Sequence, residues 1–226
     1  PRTTVLLSPV IALAFLALSG PFAVWSIGGL EQPLLAALLA GSIALFLPLL
    51  EGEAIAVHST KTLSLLLALI CITRPDGPIF LLAFALAALP WIRPYWSFVL
   101  RLFLLPALVA SAQVIFRLFY YGEWLPNTAR VKITFTAHAL QLGGNYVWDG
   151  LMALAPLSLL ALAALPLLLT TQSTRRRGLL FSALTLPWLF YIAAVGGDIF
   201  PAWRHFVPVL IIFSLALGEG LILVLQ

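Results

Sequence analysis

The chain has 226 residues, 62% of them hydrophobic and 9% charged, with a formal net charge of +4 and a mean hydropathy of +1.10. A soluble domain carries about 25% charged residues, so this composition excludes a water-soluble fold and points to a membrane protein. The apolar runs are continuous and rich in Leu and Ala rather than alternating, which argues for helices over a transmembrane barrel.

A bilayer core needs about 20 apolar residues of helix, and eight segments approach that length. They run from Val5 to Trp25, Leu34 to Leu50, Leu63 to Thr73, Ile79 to Trp91, Phe98 to Phe119, Leu151 to Leu169, Leu179 to Val195 and Phe206 to Leu225. The expected fold is thus an all-α, polytopic helical bundle of about eight transmembrane segments. Residues 1–226 form a single transmembrane domain on this reading. Pro1 is not an initiator Met and the chain stops inside the apolar run LILVLQ, so both ends read as cuts through a longer protein.

The third and fourth segments are short and meet at Arg74-Pro75-Asp76-Gly77-Pro78. The prolines lack a helix donor and Gly77 suits a tight turn. The alternative is one kinked helix from Leu63 to Trp91, about 44 Å long at 1.5 Å per residue, which would invert every later loop. With two segments there, alternation gathers four polar islands on one face. These are GGLEQP around Glu31, RPDG around Asp76, YYGEWLPNTARVK from Tyr120 to Lys132, and GGDIFPAWRH from Gly196 to His205. The opposite face holds Lys61, Arg93 and the triplet Arg175 to Arg177, and basic loops favour the cytoplasm, so the islands are placed outside. In the long linker from Tyr120 to Gly150, Tyr120, Tyr121, Trp124, Tyr146 and Trp148 suit the headgroup level. Arg130 to Gln141 could form a surface helix.

Charges near a bilayer mark functional sites by default. Asp198 follows two glycines and precedes Arg204 and His205. A carboxylate there can accept a sugar hydroxyl and a guanidinium can fork onto phosphate oxygens, or the two can simply staple a loop. Arg74 and Asp76 read either as a preset pair lining a cavity or as a self-satisfied turn. Asn127, Arg130 and Lys132 could face an anionic headgroup or a diphosphate, or snorkel their cations to lipid. Glu31 is a hydroxyl acceptor or a helix-start charge. Cys71 stands alone, and His58, His138 and His205 lack metal-ligand spacing. No phosphate-binding glycine loop, dinucleotide motif or nucleophile elbow occurs, so no soluble nucleotide donor is indicated. No cofactor site stands out, a divalent metal is left open, and the basic balance serves membrane lipids rather than nucleic acid.

Taken in order, GGLEQPL, RPDG, YYGEWLPNTARVK and GGDIFPAWRHFVP resemble the integral-membrane glycosyltransferases of the GT-C superfamily. The likeness is nearest to the bacterial subgroup that includes the terminal mycobacterial arabinofuranosyltransferases, and covers about Trp25 to Pro208. It implies a polyprenyl-phosphate sugar donor, a glycan or glycolipid acceptor, an inverting transfer and an extracytoplasmic site in the bacterial inner membrane. By motif match it implies that Glu31, Arg74, Asp76, Asn127, Lys132, Asp198 and Arg204 line the cavity. Arg130 and His205 join them as candidate donor contacts. The family's usual catalytic acid sits in the first outer loop, which the resemblance places upstream of Pro1, with Asp198 as the fallback here. A transporter or flippase for a lipid-linked or anionic solute is the competing reading.

Overall fold

The computed structural model describes residues 2–52, 57–92, 96–124 and 136–225, and every regular element among them is helical. In chain order the helices are α1 (Arg2–Ala17), α2 (Gly20–Ser26), α3 (Gln32–Glu51), α4 (Val57–Thr73), α5 (Pro78–Ile92) and α6 (Trp96–Tyr121). There follow α7 (Ala137–Ala153), α8 (Leu157–Thr170), α9 (Arg175–Ala194), a single 3-10 turn over Arg204–Phe206, and α10 (Val207–Leu225). Among these residues four helices are long and apolar enough to cross a membrane, or six if two bent pairs each count as one span. Helices α4 and α5 are apolar but shorter. Together with the composition, this makes the chain a helical membrane protein.

Two bends interrupt runs that the sequence presents as continuous or as loop. The expected segment from Val5 to Trp25 is α1 and α2, which meet at 71°. Ser19 is extended there and Pro21 occupies the first turn of α2, where its missing donor costs nothing. The second bend separates α7 and α8 by 99°. Pro156 cannot continue α7, and Ser158 Oγ donates back to the Leu151 carbonyl that the bend leaves open. The surface helix expected from Arg130 to Gln141 is displaced. Its first residues lie outside the described ones, and the helix observed there is α7, which runs on through the linker to Ala153.

The chain divides into two compact units, Pro1–Pro33 with Phe135–Gln226, and Leu34–Thr134. In the first, α10 is the central element, packed by α1, α8 and α9, and buried almost continuously from Val207 to Gly218. Backbones approach closely where side chains are small, as is usual between membrane helices. A Cβ on Gly218 would lie 2.7 Å from the Ser8 carbonyl oxygen of α1, and one on Gly143 of α7 would lie 2.1 Å from that of Ala193 on α9.

The second unit holds α4, α5 and α6 together with most of α3. Phe46 of α3 meets Phe84 of α5 edge to face at 5.0 Å, within a core that includes Leu39, Ile43, Leu67 and Phe80. Helices α4 and α5 are separate helices joined by a hydrogen-bonded turn, in which Gly77 N–H donates to the Arg74 carbonyl at 3.0 Å. Helix α6 packs along α4 and exposes Leu100, Leu104, Leu108, Phe116 and Phe119, the composition of a face that meets lipid.

Candidate functional site

In the first unit the segment from Val195 to Phe206 lies on one face of α7. Ala139, Gly143, Tyr146 and Gly150 follow helical spacing and share that face. Gly196 approaches Ala139, Gly197 approaches Tyr146, and Trp203 and Phe206 approach Gly150. Gly197 has a φ of +80° and a Cβ there would lie 2.7 Å from Tyr146 Cβ, so glycine is required on both counts.

This segment brings Asp198, Arg204 and His205 together, as the island read in the sequence suggests. Arg204 Nε donates to Asp198 Oδ2 at 2.8 Å, and the Asp198 side chain is only 1% exposed. Asp198 Oδ1 accepts the backbone N–H of Ile199 at 2.9 Å. His205 Nε2 stands 3.7 Å from Asp198 Oδ2, too far for a hydrogen bond but close enough for attraction if the ring is protonated. The His205 carbonyl accepts from Trp188 Nε1 at 2.8 Å, which ties the segment to α9.

Arg204 is held by stacking as well as by charge. Its guanidinium lies 4.3 Å from the centroid of Phe200 and 5.9 Å from that of Trp25. Only Nε is used by Asp198, and Nη1 and Nη2 meet no acceptor among the described residues. Both Nη atoms are thus open to an anion. Trp25 Nε1 in turn donates to the carbonyls of Pro201 and Ala202, both at 3.2 Å. Those bonds restrain a strained stretch: Ala202 and Trp203 have φ values of +54° and +44°. Non-glycine residues in that region cost about 1–3 kcal/mol each, and such strain gathers at functional sites.

Tyr146 completes the cluster and was not among the sequence candidates for it. Read as a headgroup-level anchor, it instead turns its hydroxyl inward, beside the His205 backbone and within the fields of Asp198 and Arg204. The hydroxyl is buried and makes no hydrogen bond of regular geometry. Trp148, by contrast, is exposed as an interfacial anchor should be.

The other candidates stand elsewhere. Glu31 accepts from the side-chain amide of Gln32 at 3.3 Å. In the second unit Arg74 and Asp76 form a two-pronged pair, Nε to Oδ1 and Nη2 to Oδ2, each at 2.7 Å, with both side chains at least nine-tenths buried. That geometry is the satisfied turn. Asn127, Arg130 and Lys132 lie outside the described residues.

A further polar group, unforeseen from the sequence, sits toward the far end of α10. Glu219 accepts from Ser8 Oγ of α1 at 3.2 Å and pairs with Arg177 at the start of α9. Among the described residues no three His, Cys, Asp or Glu side chains gather as a metal site. No protein-family profile, curated protein or solved structure matches the chain.

Proposed function

We propose that the protein is a membrane glycosyltransferase of the GT-C type. It moves a sugar from a polyprenyl-phosphate donor to a glycan or glycolipid acceptor, with inversion. On this reading the helices make about eight crossings of the bacterial inner membrane, and the polar islands face the extracytoplasmic side. The observation that carries the proposal is the guanidinium of Arg204, anchored through Nε on a buried Asp198, stacked on Phe200 and with both Nη atoms unspent. A fixed, partly desolvated guanidinium with two unused nitrogens suits a phosphate whose charge grows as it leaves.

In the proposed step the acceptor oxygen bonds to the anomeric carbon while the bond from that carbon to the phosphate oxygen breaks. The bonding pair leaves with the phosphate, releasing the polyprenyl phosphate, and the acceptor proton passes to a base. Arg204 steadies the departing charge, and Asn127, Arg130 and Lys132 are carried as further candidate contacts to the donor. Asp198 holds Arg204: both of its oxygens are engaged, which supports an anchoring role over that of the base. Glu31 is proposed to accept a substrate hydroxyl and His205 to back the carboxylate, while the Arg74–Asp76 pair of the other unit is a fastening on this reading. The competing transporter reading draws on Glu219, a carboxylate inside an apolar helix. Its pairing with Arg177 at the start of α9 favours a staple instead.

The test is a transfer assay in membranes containing the full-length protein, following label from a radiolabelled decaprenyl-phosphate sugar into the glycan fraction. Arg204→Ala and Lys132→Ala should each lower transfer by about tenfold or more, since each loses a charge-assisted contact. Equal transfer by both variants at equal expression would return these residues to loop staple and lipid anchor.

A further inference from the structure

We infer that Tyr146 contacts the ligand of this site, its phenol donating to an oxygen of the same phosphate that the Nη atoms of Arg204 hold. The inference rests on the reading of the site as a phosphate site. It starts from a buried hydroxyl that the His205 backbone N–H approaches, but whose own proton meets no acceptor at regular geometry. Buried hydroxyls are almost always satisfied, so one that is not asks for an explanation.

The ring is fixed in place rather than loosely packed. Gly197 presses on its Cβ and Cγ, and the Phe206 ring lies 6.2 Å away. What remains undetermined is only the target of the O–H. The surrounding charges narrow it. Asp198 already accepts from Arg204 and from Ile199, while the fork of Arg204 has donors to spare. A ligand group that satisfies a phenol O–H and guanidinium N–H groups together is an acceptor with several oxygens and negative charge. A phosphate ester has that character; a neutral hydroxyl does not.

The Val195 to Phe206 segment covers the phenol, so a ligand reaches it by shifting that segment. The left-handed backbone at Ala202 and Trp203 supplies strain that such a shift would relieve.

The experiment uses the full chain in dodecyl maltoside micelles, titrated by calorimetry with decaprenyl phosphate, with decaprenol, and with phosphatidylglycerol. Wild type should bind decaprenyl phosphate and not decaprenol. Tyr146→Phe removes the oxygen alone and keeps the ring, so it should weaken that binding by about tenfold. The ligand-free Tm should be unchanged or higher, because an unsatisfied buried oxygen is gone. If Tyr146→Phe binds like wild type while Arg204→Lys is weakened, the tyrosine contact is wrong and the phosphate site stands. If wild type does not distinguish decaprenyl phosphate from decaprenol, both fall. A lower ligand-free Tm with unchanged affinity makes Tyr146 a packing residue and overturns the inference. Equal binding of phosphatidylglycerol, equally sensitive to Tyr146→Phe, keeps the contact and makes the phosphate that of a membrane lipid.

Discussion

In one unit Arg74 and Asp76 face each other across a single proline; in the other, Arg204 reaches back along its loop to Asp198. The first pair meets side by side, two donors against two acceptors at 2.7 Å. The second uses one nitrogen at 2.8 Å, and the rest of the guanidinium lies on an aromatic ring. Residue types and burial are similar, so neither distinguishes the two. What differs is how much hydrogen-bonding capacity the protein spends on itself. A pair matched two donors to two acceptors is a fastening, and one that leaves both Nη atoms unspent is equipped to hold something else.

The contrast breaks most easily at Asp76. Removing one partner of a buried pair strands the other, so Asp76→Asn should destabilise the protein by about 3–5 kcal/mol. Thermal unfolding in micelles reads this directly. A wild-type Tm accompanied by lost transfer would make Asp76 a working site residue and erase the distinction.

Arg204→Lys sharpens the other side. Lysine keeps a cation for Asp198 but lacks the planar fork. Transfer should fall about tenfold, equivalent to about 1.4 kcal/mol, with far less loss of Tm than Asp76→Asn. A Tm loss as large as that of Asp76→Asn would make both pairs fastenings.

The smallest effect is expected at Trp25. Trp25→Phe keeps a ring against Phe200 and deletes the N–H that reaches the Pro201 and Ala202 carbonyls. Stability should drop by about 1 kcal/mol, with a several-fold loss of transfer as Arg204 loses its fixed orientation. Unaltered kinetics would show that the left-handed stretch holds its shape without this restraint.

The long helices were legible in the sequence because each is an apolar run bounded by polar residues. The expected limits for α3, α6, α9 and α10 lie within a few residues of those observed. The bend after α1 was signalled by Ser19-Gly20-Pro21 but overridden by the apolar run on either side. Helix α7 was harder. Its aromatic residues read as headgroup anchors in a linker, whereas the spacing of Ala139, Gly143, Tyr146 and Gly150 marks a small-residue packing face. Asp198, Arg204 and His205 were visible as a cluster because they are close in sequence. Tyr146, Trp25 and Glu219 were not, since their partners lie tens to hundreds of positions away and only packing brings them together.

Helix α10 is tethered by polar groups toward both ends: the Asp198–Arg204 segment at its start, and Glu219 with Ser8 and Arg177 near its finish. Val207 and Glu219 are about 18 Å apart along the axis at 1.5 Å per residue. A slide of one residue in either direction would pull on both tethers at once. The register of α10 against α1 and α9 is thereby fixed by polar contacts as well as by apolar packing, which any two apolar helices could satisfy in several registers.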